Sequence, residues 1–173
     1  MVSRIFSDAL LSVYHGEQFG EAFFESLLPK AENEEQRYIL GSLLQLESEG
    51  KAVMRPVLTK LCLPLDEDPD SRPRGLAGAQ TLSEMPWRDM FAAMATGIRA
   101  KGLPQYEELT TLVSAEDDSE ASALANFMGA HERAVLAVAE NIAAGQPNPI
   151  EPVIEILHFP LPKPKNSTLG IHN

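Results

Sequence analysis

The sequence contains a single cysteine among its 173 residues, so no disulfide can form within the chain. Cys62 lies among Leu61, Leu63 and Leu65, and this apolar setting predicts a buried, inert thiol and no catalytic nucleophile. The chain also lacks a phosphate-cradling glycine loop, a nucleophile elbow and the Cys/His spacing of a zinc site. These absences exclude the commonest sequence signatures of hydrolases, nucleotide-binding proteins and zinc proteins.

Basic residues are few: 14 lysines and arginines stand against 25 acids, giving a net charge of −11. Such a charge repels phosphate backbones and anionic membranes, and no local basic patch reverses it. No apolar run approaches the length of a membrane span, and residues 1–6 do not resemble a signal peptide. We therefore expect a soluble cytoplasmic protein that binds neither nucleic acid nor membranes.

Two helices are predicted in the first third of the chain. The first runs from about Ser3 to Leu28 and stops at Pro29. The second opens at Asn33, whose side chain can cap it, and continues to about Leu63. Because only a few residues connect them, these helices should pack antiparallel.

Two further helices are predicted after a long loop at 64–86, which has no periodic apolar face. The third helix starts near Thr81 or Ser83, reaches about Lys101, is broken or kinked at Gly102 and Pro104, and resumes at 106–113. The fourth begins at Ser114 and ends at Gly145. One long crossover between the second and third helices favours a ferritin-like four-helix bundle over a simple up-down-up-down bundle.

The C-terminal segment differs in composition from the rest of the chain. Residues 146–173 contain six prolines, which exclude a regular helix throughout. We expect residues 1–145 to form the all-α bundle and residues 146–173 to form an extended tail. Residues 153–159 would be its adhesive part, on the bundle or on a neighbouring subunit.

Two glutamates interrupt the apolar stripes of the first two helices. At heptad spacing Glu17 follows Val13 and Glu47 follows Leu43, each near the middle of its stripe. An unpaired carboxylate in a bundle core costs several kcal/mol or becomes protonated. The pair therefore predicts a metal, a cationic partner or a wet pocket.

A histidine occupies the corresponding core position of the fourth helix. His131 follows Leu124 and Met128 on the apolar stripe, and Glu132 lies beside it on the flank. Counted from the connecting turns, Glu17, Glu47 and His131 lie about 13 to 16 residues deep, a spread of roughly one helical turn at about 1.5 Å per residue. All could therefore converge on one layer, where oxygen and nitrogen ligands suit iron or manganese.

Over about residues 5–145 the chain resembles the ferritin-like superfamily. The segments that carry the resemblance are 14–17 with Phe19 and Gly20, 46–47, and 131–132 with Glu140 and Gly145. The resemblance implies a non-haem metal protein, an oxidoreductase using iron or manganese, with Glu17, Glu47, His131 and Glu132 as ligands. A homodimer and a small apolar substrate are further expectations.

The sequence departs from the di-iron pattern of that superfamily. Where Glu-x-x-His is typical, Glu47 is followed by Gly50 and Glu132 by Val135, and the third helix offers no acid near Ile98. A mononuclear or atypical binuclear site is therefore expected. The alternative is a metal-free interaction module in which Arg99 or Lys101 pairs with the core acids, and iron storage is a weaker third reading.

Overall fold

The computed structural model describes residues 2–164, and within this range every regular element is helical. Four long helical rods and one shorter helix account for most of the chain. Their bounds are α1 Arg4–Leu27, a 3₁₀ turn Leu28–Lys30, α2 Glu34–Lys60, α3 Ser71–Leu82, α4 Trp87–Gly97, a π-helical turn Ile98–Gly102, α5 Leu103–Leu112, α6 Ser119–Ala144 and α7 Glu151–Ile154. The predicted all-α class is confirmed.

Local capping explains where the longest helices begin and end. Ser3 and Asn33 accept hydrogen bonds from the backbone N–H groups three residues on, at 3.1 Å and 2.9 Å, as helix N-caps do. Gly145 adopts the left-handed conformation at the end of α6, with φ of 68°. The predicted Ser114 N-cap is wrong: Asp118 caps α6, and Ser114 instead accepts a hydrogen bond from Asp117 N in the preceding turn.

The predicted loop at 64–86 is wrong over half its length, because α3 lies within it and packs along α1. Small residues form the buried side of α3. A Cβ at Gly75 would overlap the carbonyl oxygen of Phe19, and Ala79 is buried. Since glycine and alanine make no large apolar stripe, periodicity did not reveal this helix.

The third rod consists of α4, the π turn and α5. It is continuous but changes pitch. Instead of a break, Gly102 ends a π-helical turn, and Pro104 lies in the first turn of α5. A π turn inserts extra residues into the helix and rotates everything after it relative to a regular α-helix. The faces of α5 therefore cannot be counted from α4 without knowing of this turn.

The rods close into a ring in which α1 lies beside α2 and α5, and α6 lies beside α2, α4 and α5. Two apolar clusters fill its interior. One includes Phe6, Leu10 and Met128, and the other includes Phe24 and Leu43. Glu17, Glu47 and His131 occupy the sequence intervals between the clusters on α1, α2 and α6, so a polar layer separates two apolar halves.

The segment after Gly145 is less extended than predicted. It forms α7, and Val153 and Leu157 are buried against the cluster that contains Phe24. Glu49 of α2 then accepts hydrogen bonds from the backbone N–H groups of His158 and Phe159, at 2.8 Å and 3.0 Å. The part of the predicted tail at 165–173 lies outside the described residues.

Two further expectations concern the burial of Cys62 and the presence of membrane-spanning helices. Cys62 is exposed, not buried: it lies in the turn that follows α2 and has a positive φ of 55°. Across residues 2–164, no helix combines the length and apolar content needed to cross a bilayer.

Candidate metal centre

Glu17, Glu47 and His131 converge in the interior as their depth along the helices predicted. One ligand atom from each lies within 4.8 Å of the other two, and all three residues are buried. Their separate origins on α1, α2 and α6 mean that packing of three helices, and no local motif, creates this group. The geometry of the group is that of side chains able to share one small cation.

The two glutamates fit between their helices because each lies opposite a glycine. A Cβ at Gly50 of α2 would lie 2.9 Å from Cδ of Glu17, and a Cβ at Gly20 of α1 would lie 2.5 Å from Cδ of Glu47. The arrangement is reciprocal, since each helix carries Glu-x-x-Gly and the helices run antiparallel. Glycine at these positions provides the space in which each carboxylate lies.

Tyr106 of α5 holds one oxygen of Glu17. Its hydroxyl donates a buried hydrogen bond to Oε1 at 2.6 Å, and its ring stacks on that of His131 with centroids 6.2 Å apart. Burial and the neighbouring carboxylates raise the pKa of Tyr106 well above its ordinary value, so it remains a neutral donor. The hydroxyl thereby fixes Glu17 with its other oxygen directed at the cluster.

Three polar atoms of the cluster have no hydrogen-bond partner within residues 2–164: Glu17 Oε2 and both ring nitrogens of His131. Nε2 of His131 approaches Glu17 Oε2 to 3.2 Å, but the two groups are not aligned for a hydrogen bond. Buried polar atoms are nearly always paired with protein, water or an ion. These atoms therefore present unused ligand capacity at one point.

Electrostatics favour retention of protons in this layer. Burial lowers the pKa of His131, but Glu17, Glu47 and Glu132 outweigh burial and raise it to about 10. Burial and the charge of Glu17 raise the pKa of Glu47 well above its ordinary value, with His131 opposing them in part. The cluster thus carries more negative charge than its surroundings tolerate, and protons or a cation must compensate it.

Glu132 lies next to this group and is buried, contrary to its predicted position on a flank. Glu132 is not one of the three residues whose ligand atoms lie within 4.8 Å of one another. A Cβ at Gly102 in the π turn would lie 3.2 Å from its Cδ, so a third carboxylate lies against a third glycine. Burial raises the pKa of Glu132 to about 7, with His131 lowering and Glu17 raising it. It is a carboxyl group able to hold or release a proton near neutrality.

The alternative pairing of the core acids with Arg99 is wrong. The Arg99 guanidinium projects from the π turn toward α6, where Nε donates to Glu140 at 2.8 Å on the surface. Lys101 is exposed and forms no ion pair within residues 2–164, while the nearly buried Lys51 pairs with Glu21. No lysine or arginine in that range pairs with Glu17, Glu47 or Glu132.

A cavity of about 490 Å³ opens beside the cluster. Glu47, Glu132 and Tyr106 line it, whereas Glu17 and His131 lie behind them. Apolar side chains from α1, α4 and α6 form much of its wall: Phe19, Phe23, Phe24, Met94 and Val135. The site therefore has an apolar approach from the surface to two of its acids.

The sequence interpretation missed Tyr106, for which the only signal was a tyrosine in the third rod. The other two tyrosines do not reach the acids: Tyr14 donates to the carbonyl of Leu65, and the Tyr38 hydroxyl has no partner within residues 2–164. The π turn before α5 changes the helical phase, so heptad counting could not assign Tyr106 to the core face.

Comparison with known proteins adds no relative, since no family model, curated protein or solved structure matches this chain. Whether the site suits a metal ion can be judged from its ligand atoms. Two carboxylates and an imidazole, with unpaired ligand atoms and space made by glycines, fit iron or manganese. The homodimer stays a prediction.

Proposed function

We propose that the protein binds iron or manganese in the core of a ferritin-like helical bundle. Glu17, Glu47 and His131 would hold the ion, with Glu132 beside them. The observation that carries this proposal is the convergence of one ligand atom from each of the three residues within 4.8 Å. Glu17 Oε2 and both His131 nitrogens also lack any hydrogen-bond partner among the described residues.

Charge balance supports the same conclusion. With Glu17 and Glu47 ionised and His131 neutral, the three side chains carry two negative charges, which one divalent cation neutralises. Without a cation, the carboxylates must take up protons or pair with the His131 imidazolium in a low-dielectric interior. Burial and the charge of Glu17 both raise the pKa of Glu47, and a divalent ion would offset both effects by stabilising the ionised carboxylate.

The ferritin-like assignment is supported by arrangement and not by a ligand motif. Four rods surround a carboxylate and histidine layer, and the long connection falls between α2 and α4. The Glu-x-x-His that is usual on the second helix is replaced by Glu-x-x-Gly on α2, a pattern that α1 shares, and each glycine accommodates the carboxylate of the other helix. This exchange favours a smaller ligand set than that of a di-iron protein.

The reaction class we propose is oxidation of a small apolar compound by dioxygen or peroxide, with iron supplying the redox chemistry. The chain would contribute three functions. Tyr106 orients Glu17, the apolar side chains of the cavity wall pack against the compound on its approach to the cluster, and Glu132 presents a carboxyl group at the cavity wall.

Metal titration of the metal-free protein tests the proposal. Anaerobic Fe(II) and Mn(II) should each bind at about one ion per chain by calorimetry and elemental analysis. Glu17→Gln and Glu47→Gln should each abolish stoichiometric binding, whereas the exposed control Glu108→Gln should leave it unchanged. Substoichiometric metal that is insensitive to both core substitutions would overturn the proposal.

One observation favours a second function, a metal-free interaction module. The 3.2 Å approach of His131 to Glu17, with the raised pKa of His131, would also suit a buried ion pair. In that case His131→Gln should destabilise the protein strongly in the presence of a chelator, since it would leave Glu17 charged and unpaired. If metal is the normal partner, chelator should by itself lower the stability of the wild-type protein.

A further inference from the structure

The cavity beside the metal centre has charged groups of opposite sign at its two ends. Its inner part is formed by the buried acids Glu47 and Glu132. Lys101 from the π turn and Arg74 from α3 also line it, and both are exposed. The acids therefore lie at the interior end of the cavity and the cations at its solvent end.

These cations are available to a ligand. Lys101 has no ion-pair partner within residues 2–164. Arg74 is partly engaged: Nε donates to the carbonyl oxygen of Asp70 at 3.3 Å, and one terminal nitrogen lies 3.2 Å from Ser71 Oγ and 3.8 Å from a carboxylate oxygen of Asp68. The other terminal nitrogen makes no hydrogen bond within residues 2–164. In a chain with a net charge of −11, two cations at the mouth of one cavity form a local site for an anion.

Between the two ends the wall is apolar. Phe19, Phe23 and Phe24 of α1 face the cavity together with Met94 and Val135. A volume of about 490 Å³ lies within the usual range of small-molecule sites, about 300–1,000 Å³. Phe19 is 37% exposed, so part of this apolar wall is open to water until something covers it.

We propose that the ligand of this cavity is a monocarboxylate with an apolar body. Its head group pairs with Lys101 and Arg74, its body packs on the phenylalanines, and its far end points at Glu47 and Glu132. The reverse orientation would bury the carboxylate beside Glu47 and Glu132 at the interior end of the cavity, away from Lys101 and Arg74, and an unpaired buried charge is costly. The cavity thus selects both the ligand class and its direction.

This inference rests on the proposed function in one respect: the end of the ligand beside Glu47 and Glu132 is its reacting end. Binding of the ligand depends only on the cavity, so it can be measured with and without metal.

Calorimetric titration with three probes of equal chain length tests the inference. Octanoate should bind more tightly than 1-octanol, and octylammonium should bind most weakly, in both metal-free and Mn(II)-loaded protein. Lys101→Gln should weaken octanoate about threefold to fivefold, and the double variant with Arg74→Gln about tenfold, with no change for octanol. The exposed controls Lys163→Gln and Arg37→Gln should have no effect.

The outcomes separate this inference from the proposed function. Stoichiometric Mn(II) binding with no octanoate binding overturns the ligand assignment alone. Octanoate binding that responds to Lys101→Gln, in a protein that takes up no metal, supports the cavity assignment and overturns the metal proposal. Equal affinities for octanoate and octanol, unchanged by Lys101→Gln, overturn the anionic head group.

Discussion

Glu17 on α1 lies in the space that a side chain at Gly50 on α2 would occupy, with a Cβ at Gly50 2.9 Å from Cδ of Glu17. Glu47, three residues before Gly50 on α2, lies in the same way against Gly20, which is three residues after Glu17 on α1. The glycines are therefore part of the candidate metal site, although they contribute no ligand atom. They allow two helices to approach closely with a carboxylate between them.

Substitution of Gly50 by alanine should damage the site more than the fold. In a helix interior this change normally stabilises by about 0.5–1 kcal/mol. Here the new Cβ would displace the end of the Glu17 side chain and approach His131 Nε2 to 3.3 Å. We expect at least a tenfold loss of Mn(II) affinity, measured by calorimetry, while circular dichroism shows the helical content unchanged.

Gly97 provides the matched control, because it is helical and a Cβ there would meet no atom within 4 Å. Gly97→Ala should raise the free energy of unfolding by about 0.5–1 kcal/mol and leave Mn(II) affinity unchanged. Equal metal affinities for Gly50→Ala and Gly97→Ala would contradict the role assigned to Gly50.

Loss of the Tyr106 hydroxyl should weaken both stability and metal binding. Tyr106→Phe leaves Oε1 of Glu17 buried without its 2.6 Å hydrogen bond, at a cost of about 1–3 kcal/mol in the free energy of unfolding. Since the hydroxyl also orients a proposed ligand, metal affinity should fall about tenfold to a hundredfold. Urea unfolding and Mn(II) titration measure the two effects.

Tyr38→Phe is the control for Tyr106→Phe. The Tyr38 hydroxyl is buried and has no hydrogen-bond partner in residues 2–164, so its removal should be neutral or stabilising. A comparable loss in both variants would show that the effect comes from tyrosine packing and not from the bond to Glu17.

The contact between Glu49 and the C-terminal segment should weaken in acid. Burial tends to raise the pKa of Glu49, but hydrogen bonds from Gln45 and from the backbone of His158 and Phe159 outweigh burial and lower it. A lowered folded-state pKa gives stability that is present above about pH 4.5 and lost as pH falls through the folded value.

Glu49→Gln isolates this contribution. The variant should be less stable than wild type by about 1–2 kcal/mol at pH 7, and the difference should shrink as pH falls below about 4.5. Urea unfolding at a series of pH values measures it, with the exposed Glu108→Gln as control. A difference that is independent of pH would exclude the charge of Glu49 as its cause.

Removal of Arg99 should have little effect. Its guanidinium pairs with Glu140 at the surface, and exposed ion pairs contribute about 0–1 kcal/mol. Arg99→Leu should therefore change the free energy of unfolding by less than about 1 kcal/mol and leave Mn(II) binding intact. A large loss of stability in metal-free protein would instead place Arg99 with the core acids.

The hydrophobic periodicity of the sequence could predict how far along its own helix a residue lies and which face of that helix it occupies. The heptad positions of Glu17, Glu47 and His131 follow from the sequence, because each lies on a regular helix with a defined cap, such as Ser3 or Asn33. The apolar residues on either side then require these side chains to be buried at similar depth.

Only the tertiary structure decided which groups complete the site. Tyr106 reaches Glu17 because the π turn shifts the phase of α5, and the same turn directs Arg99 to Glu140. Burial of Glu132 and the arrival of Arg74 at the cavity depend on contacts with Gly102 and along α3. Local periodicity fixes a side chain relative to its own helix axis, whereas its neighbours are set by how closely and in what phase separate helices pack.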